Sequence, residues 1–205
     1  MSKDYFGRKL VSLGEAYSRI YYGFRNMPVL KKSIRSNYIS ESFKERIMIA
    51  VTEVNGCSMC SYAHATMALE AGLNQNEIDD LIGGITENVP SEERQGILFG
   101  QHIADNRGVV SKKVWNQIIE TYGKDEADGI LASSQVIMLG NAYGIPFGSL
   151  MRRITKNEKY EIDERSSIGY EIMMILSIIV FLPVGLIHSL IGSLLNLPLA
   201  KFKDE

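Results

Sequence analysis

Three side chains that could carry out thiol chemistry lie close together in the sequence. Cys57 and Cys60, the two cysteines of the 205-residue chain, form a Cys-X-X-Cys motif, and His64 follows four residues after the second one. A thiolate can attack an oxidant or a disulfide, and a nearby second thiol can resolve the product as an internal disulfide. A histidine can accept the thiol proton, and a carboxylate can orient the imidazole. Glu45 is the candidate carboxylate.

Two predicted helices position these groups. Apolar residues recur at helical spacing over residues 43–54, and the turn dipeptide Asn55-Gly56 predicts the end of this helix. A second helix is predicted from about Cys57 to Gly72, with both cysteines in its first turn. Both thiols and the imidazole would then share one helical face. The positive end of the helix would stabilise a thiolate, whose pKa falls from about 8.5 to roughly 3.5–7.5 in such motifs.

Glu45 also has a purely structural interpretation. With Ser42 it forms the S-x-x-E pattern of a capping box, in which the glutamate would only cap its own helix. Glu53, near the end of the same helix, is the other carboxylate that could orient the histidine. Spacing alone leaves these interpretations open.

The pattern E-x11-C-x2-C-x3-H resembles the proton-relay signature of the carboxymuconolactone decarboxylase-like superfamily, and more narrowly its alkylhydroperoxidase-D branch. The following run, HATMALEAGLNQNEIDDL, is similar to the same family, and the resemblance covers about residues 35–150. It implies an all-α helical bundle and a thiol-dependent peroxidase or disulfide reductase. Carried over position by position, Glu45, Cys57, Cys60 and His64 would form the relay. Cys60 would be the thiol beside the relay, and Cys57 its disulfide partner.

One position departs from the family pattern. Some members carry another histidine just before the second cysteine, where this chain has Met59. Decarboxylase members lack the cysteine pair, so its presence argues against lactone decarboxylation. The resemblance therefore implies a small hydroperoxide or a disulfide protein as substrate. It also implies no bound cofactor, and an external dithiol donor protein that restores the reduced pair.

Length and composition exclude several other classes. The 205 residues suffice for one sizeable core, and a net charge of −2 gives no indication of a nucleic-acid partner. Two cysteines three residues apart indicate redox or metal chemistry rather than a disulfide-stapled secreted scaffold. The N-terminal stretch has no apolar run typical of a secretory signal, so a cytoplasmic location is expected.

The rest of the chain predicts more helices and no strand of useful length, which defines an all-α class. An amphipathic helix is predicted over residues 8–26, and Pro28 is expected to end it. Ser111 is a predicted helix cap. A later helix that opens at Asp125 is expected to be interrupted over residues 140–146, where glycines and a proline cluster.

The C-terminal part changes composition abruptly. Residues 156–171 are strongly charged and predict a linker between a helical domain, residues 1–155, and a hydrophobic tail, residues 172–200. This tail contains no Asp, Glu, Lys or Arg and is longer than the roughly 20 apolar residues that cross a bilayer. Pro183 and Gly185 are expected to divide it.

Two interpretations of the tail stay open. It anchors the protein in a membrane, with Arg152, Arg153 and Lys156 toward the cytosol, or it is buried between subunits of a homo-oligomer. Small residues and His188 share one face of its second half, which suits close helix contact. The family resemblance implies oligomers, whereas length and lack of charge favour a membrane. Membrane association through residues 172–200 is the prediction.

Three functional hypotheses follow from the sequence. In the leading one, an antioxidant oxidoreductase, a Cys60 thiolate activated by His64 and Glu45 reduces a hydroperoxide or a protein disulfide, and Cys57 closes the disulfide. The order of attack stays open, because Cys57 lies nearer the helix end. A zinc site is the second, in which this motif supplies up to three ligands and Glu45 or water the fourth, although structural zinc usually takes four Cys or His ligands. The third is a non-catalytic redox-sensing or membrane-associated scaffold.

Overall fold

The computed structural model describes residues 9–204, and this part of the chain is almost wholly helical. Residues 1–8, which begin the stretch predicted to lack a signal and include the predicted start of the first helix, lie outside the described residues. The elements are α1 (Leu13–Arg35), α2 (Glu41–Asn55), α3 (Ser58–Glu70), α4 (Gln75–Ile82), α5 (Arg94–Asp105), β1 (Val109–Ser111), α6 (Lys112–Tyr122), α7 (Lys124–Thr155), α8 (Ile168–Leu194) and β2 (Lys201–Lys203). The predicted all-α class is confirmed.

Helix α1 continues through Pro28, so the prediction that this proline ends the helix was wrong. A proline removes one backbone hydrogen bond and usually kinks or breaks a helix. In α1, packing against α7 holds the helix on both sides of the proline. Gly23 lies against Leu139 before it, and Ser33 lies against Gly129 after it.

Helix α7 is the central element. It contacts α1, α2, α3, α5, α6 and α8. It runs without interruption through residues 140–146, contrary to the prediction, and Pro146 lies inside it. Glycine and proline propensities are weak priors that tertiary packing routinely overrides. The glycines of α7 serve close approach by neighbouring elements, as Gly129 and Gly144 do, rather than a bend.

The hydrophobic core lies mainly between α2, α4, α5 and α7. Its large, fully buried side chains include Ile47, Ile49, Ile78, Leu81, Ile97, Ile103, Ile130 and Leu131. Most of α2 is buried in this core. Any polar group on the inward face of α2 is therefore carried into the protein interior.

A short parallel pair of strands, which the sequence did not predict, ties the C-terminal end of the chain to the helical body. Strand β2 pairs with β1, and Val110 lies opposite Phe202. Three-residue strands are too short to show the alternation that reveals a strand in sequence. The cap predicted at Ser111 is confirmed, because its hydroxyl accepts the Val114 N–H.

Helix α8 lies along α1 through the face of small residues that the sequence indicated. Gly185 faces Ile20, and Gly192 faces Tyr21. His188 is hydrogen-bonded through Nδ1 to the hydroxyl of Tyr17, at 2.9 Å, so this histidine belongs to the helix contact. Pro183 lies within α8, and the predicted division of the tail was wrong because the contact with α1 continues past it.

The opposite face of α8 is exposed and apolar. Its members include Ile172, Leu176, Ile179, Val180, Ile187, Leu190 and Leu194. The helix is long and apolar enough to cross a membrane by length and composition, and only 17% of its most apolar window is buried. One such helix is weak evidence for a membrane span, since soluble core helices pass the same test. The face is nevertheless a large apolar surface that no described residue covers.

The charged segment between α7 and α8, residues 156–167, folds back onto the helical body. The Asp163 N–H donates to Ser149 Oγ at 3.0 Å. Arg153, at the end of α7, forms an ion pair with the fully buried Glu171 of α8, with 3.0 Å between Nε and Oε1. Part of the charge in this region therefore fixes the start of α8.

Replacing Gly185 with alanine tests the contact between α1 and α8. A Cβ at this position would lie 2.3 Å from Ile20 Cγ2, so Gly185→Ala is expected to destabilise the protein by ~1–3 kcal/mol through overpacking. Gly169→Ala is the matched control, because it lies in the same helix with no neighbouring atom within 4 Å of its Cβ. Urea unfolding measures both. Equal effects of the two substitutions would mean that α8 does not pack on α1 in this way.

Candidate active site

Cys57 and Cys60 are joined in a disulfide at the start of α3. Cys57 is the N-cap residue, so α3 begins one residue later than the sequence predicted, and only Cys60 lies in the first turn. The Cys57 sulfur accepts the backbone N–H of Cys60 at 3.3 Å. The helix N-terminus thus directs an N–H and its partial positive charge at this sulfur, which stabilises a thiolate once the pair is reduced.

A tight turn sets the position of this disulfide relative to α2. Gly56 ends α2 with a φ of 77°, a left-handed conformation that favours glycine. The Thr52 carbonyl accepts the N–H of Gly56 at 2.7 Å and that of Cys57 at 3.4 Å. The predicted Asn55-Gly56 stop is confirmed, and it turns α3 back so that α3 packs on α2.

Glu45 of α2 and His64 of α3 meet across this helix pair. The Nδ1–H of His64 donates to Glu45 Oε2 at 2.7 Å, and the carboxylate is almost completely buried. Ser40, not Ser42, caps α2 by accepting the Phe43 N–H, so the capping-box interpretation of Glu45 was wrong. The backbone enters α2 two residues earlier than the S-x-x-E pattern implies. His64 takes Glu45, rather than Glu53, as its carboxylate partner.

The environment of Glu45 keeps it ionised. Burial raises the pKa of Glu45, but hydrogen bonds from His64 and Lys44 outweigh it and hold this pKa below its ordinary value. The Lys44 ammonium lies 2.9 Å from Glu45 Oε1. A neutral imidazole with its proton on Nδ1 can accept a proton at Nε2, and no described residue hydrogen-bonds this Nε2. The pair therefore presents an oriented proton acceptor.

The two sulfurs differ in their surroundings. His64 lies one helical turn after Cys60, so the two side chains are neighbours on α3. In this oxidised state no hydrogen bond joins the imidazole to either sulfur within residues 9–204. Cys60 is 7% exposed and Cys57 is 2% exposed, so Cys60 is the more accessible sulfur.

Helix α7 passes directly behind the disulfide at Gly144. A Cβ at this position would lie 2.5 Å from the Cys60 sulfur and 2.7 Å from the Cys57 sulfur, so the site requires glycine here. Sequence reasoning favoured a bent helix pair at Gly144 over close approach of a substrate or partner chain, and it did not place this glycine against the cysteines. The signal that could have identified it is the recurrence of glycine at four-residue spacing, at Gly140, Gly144 and Gly148.

A small cleft adjoins the disulfide on the side of α7. Its volume is about 20 Å³, and its lining includes Met59 and Gly144. Glu161 and Asp163, from the segment that joins α7 to α8, line its other side. Met59, the position that departs from the family pattern, thus faces this cleft. The charged segment of the sequence contributes directly to the surroundings of the disulfide.

In this oxidised form the two cysteines are not arranged as ligands of the zinc site that the sequence offered as an alternative. Both candidate thiol ligands are bonded to each other. Within the described range, no group of three His, Cys, Asp or Glu side chains is arranged to hold a metal ion.

Fold and site together define an all-helical protein with a Cys-X-X-Cys disulfide beside a carboxylate–histidine pair. The model of the carboxymuconolactone decarboxylase family matches residues 27–87, the segment that contains both cysteines, Glu45 and His64. No curated protein and no solved structure matches the chain. The resemblance to the carboxymuconolactone decarboxylase family is therefore confirmed over residues 27–87.

Replacing Gly144 with alanine tests the close contact between α7 and the disulfide. Because the new methyl group would overlap both sulfurs, Gly144→Ala is expected to lower the fraction of disulfide at a fixed ratio of reduced to oxidised glutathione. Gly140→Ala, one turn earlier, meets only an ordinary contact at 3.6 Å and should leave that fraction unchanged. Alkylation of free thiols followed by mass spectrometry measures it. An unchanged fraction in both variants would contradict the contact.

Proposed function

We propose that this protein is a thiol-dependent oxidoreductase of the alkylhydroperoxidase type, which reduces hydroperoxides or the disulfides of partner proteins. The observation that carries the proposal is the Glu45–His64 hydrogen bond, one helical turn from Cys60. A proton acceptor with a buried, ionised partner beside a redox-active cysteine pair is the arrangement that thiol activation requires. The match of residues 27–87 to the family model and the presence of the cysteine pair support it.

The first half-reaction oxidises the reduced pair. His64 Nε2 takes the Cys60 thiol proton, while Glu45 holds the ring at Nδ1 and stabilises the imidazolium. The Cys60 thiolate attacks the terminal oxygen of a hydroperoxide and the O–O bond breaks. The alcohol leaves with the proton from His64, and Cys60 becomes a sulfenic acid. Cys57 then attacks the Cys60 sulfur, so that a disulfide forms and the sulfenic oxygen leaves as water.

The second half-reaction restores the thiols. An external dithiol, such as a lipoyl or thioredoxin-type donor protein, attacks the disulfide and leaves as a disulfide after two exchange steps. Two electrons pass from the donor to the peroxide in each cycle, and no bound cofactor is needed. With a protein disulfide as oxidant, the Cys60 thiolate attacks sulfur instead of oxygen. The greater exposure of Cys60 supports its role as the attacking thiol.

The test is peroxide-dependent oxidation of dihydrolipoate by the purified protein. Wild type should turn over, while Cys57→Ser and Cys60→Ser should lose turnover because neither can complete the disulfide cycle. Glu45→Gln should lower kcat/KM by about 10–100-fold, since it removes the anion that orients the imidazole. Glu70→Gln is the matched control, because Glu70 is an exposed carboxylate on the same helix as His64.

Three outcomes of this assay separate the hypotheses. Turnover retained in both cysteine variants would refute the mechanism. An inactive wild type whose disulfide still forms and reduces reversibly would indicate the non-catalytic redox sensor instead. Equal activity of Glu45→Gln and Glu70→Gln would remove the proton relay from the mechanism while leaving the cysteine pair in place.

We also propose that the exposed apolar face of α8 rests on a membrane surface. The helix stays joined to the helical body, since Arg25 donates to Ser193 Oγ at 2.6 Å and Asn26 donates to the Leu199 carbonyl at 2.8 Å. Crossing the bilayer would break these bonds, whereas contact in the plane of the membrane preserves them. The face carries no charged side chain from Ile172 to Leu194. Lipid hydroperoxides would then be a natural substrate class.

Lysines on this face test the membrane proposal. The double variant Ile179→Lys/Leu194→Lys places two charges at highly exposed positions of α8, and it should abolish co-sedimentation with phosphatidylcholine vesicles. Ile154→Lys, at a similarly exposed position of α7, is the control and should still bind. Analytical ultracentrifugation on the same proteins covers the alternative. If wild type does not bind vesicles but forms an oligomer, and the double variant is monomeric, this face is a subunit interface.

A further inference from the structure

A second cavity lies behind the candidate active site, where the start of α1, the end of α2, α7 and the start of α8 meet. Its volume is about 30 Å³, and Ile145 is the one lining residue that it shares with the cleft beside the disulfide. Among the described residues that line it, four are cationic and none is acidic. The cationic residues are Lys9, Arg19, Arg107 and Arg165.

The guanidinium of Arg19 differs from those of its two arginine neighbours in this cavity. Arg107 is paired with Glu15, and Arg165 is paired with Asp163, with 2.5 Å between the paired atoms in each case. Arg19 is 95% buried. Its guanidinium is attracted by the Glu15 carboxylate, which is paired with Arg107, but it makes no side-chain hydrogen bond to any residue from 9 to 204. Burial lowers the pKa of Arg19 to about 10, which leaves it charged at neutral pH.

The backbone is shaped to receive this guanidinium. Gly108 has a φ of 77°, and a Cβ there would lie 1.8 Å from Arg19 Nη1. The guanidinium therefore lies directly against the Gly108 backbone. A buried charge is costly unless it is paired, so this position favours an anionic partner from outside the described residues.

An unpaired amide donor lines the same cavity. Asn141 is 99% buried, and its Oδ1 accepts a hydrogen bond from the Thr52 hydroxyl at 3.1 Å. Its Nδ2 has no hydrogen-bond partner. Native proteins satisfy nearly all buried polar groups, so an unpaired buried N–H donor in the cavity that the Arg19 guanidinium also lines favours a bound acceptor there.

We propose that this cavity binds a carboxylate group, held by the Arg19 guanidinium and the Asn141 amide. The planar fork of a guanidinium matches the two oxygens of a carboxylate, and such charge-assisted pairs are the strong ones. The cavity, with a volume of about 30 Å³, has room for roughly two water-sized groups, so the two oxygens of a carboxylate fit there. The carboxylate belongs either to a small free acid or to the end of a longer one.

Hydrogen bonds connect the proposed carboxylate site to the disulfide through Asn141 and Thr52. The Thr52 hydroxyl is bonded to Asn141, and the Thr52 carbonyl accepts the Cys57 N–H. Gly144 lies one turn after Asn141 on α7, and a Cβ at this position would overlap both sulfurs. The carboxylate site does not rest on the proposed redox function, since binding is expected whether or not the protein turns over peroxide.

Thermal unfolding at constant ionic strength tests this site, with sodium acetate exchanged for sodium chloride. A ligand that binds only the folded state raises the Tm with its concentration, so acetate should give a saturable rise in wild type. Arg19→Gln should need about tenfold or more acetate for the same rise, because it removes a charge-assisted hydrogen bond. Arg35→Gln, an exposed arginine on the same helix, should respond as wild type does.

A second variant keeps the test decisive if Arg19→Gln does not fold. Asn141→Asp supplies a carboxylate from the chain itself, so it should lose the acetate response and keep a Tm at least as high as that of wild type without acetate. Equal responses to acetate, phosphate and chloride, or a full acetate response in Asn141→Asp, would overturn the proposal. Tighter binding of hexanoate than of acetate would show that the bound carboxylate is the end of a longer acid. Binding of acetate and formate but not of hexanoate would show that it belongs to a small free acid.

Discussion

The buried carboxylate of Glu45 is the group on which the arrangement of the site depends. A charge in the interior is stable only where its oxygens are hydrogen-bonded, and here His64 and Lys44 supply the donors. The bond to His64 holds α3 against α2, and the turn at Gly56 sets the direction in which α3 leaves α2. Helix α7 then closes the site from behind, because glycine at position 144 leaves room for both sulfurs.

The helical pair around the cysteines could be predicted because its signals are local. Apolar spacing, the Asn55-Gly56 turn and the positions of Glu45 and His64 all lie within one short stretch. The cap of α2 could not be chosen from sequence, since Ser40 and Ser42 both lie near its start and only the backbone geometry selects Ser40. The role of Gly144 depends on a contact across more than eighty residues, which no local pattern contains.

The three prolines inside long helices show where local reasoning fails. Pro28, Pro146 and Pro183 each lie within a continuous helix, although each was expected to end or divide one. Loss of one hydrogen bond is a local cost, whereas α1, α7 and α8 support one another along much of their length. The face of small residues on α8 could be recognised in the sequence, but the helix that packs against it, α1, could not. The spacing of residues shows that a helix has a contact surface, but it does not show which element packs there.

The bonds between α1 and the end of the chain bear on the order in which the protein can assemble during synthesis. Asn26 donates to the Leu199 carbonyl, a partner that lies 173 residues later in the chain. Arg25 likewise bonds to the Leu197 carbonyl. Until the ribosome has made residues 197–199, the α8-facing side of α1 stays in water with its polar groups hydrated. Contacts of such sequence separation slow folding, so α1 reaches its final environment only after α8 and these residues have been released.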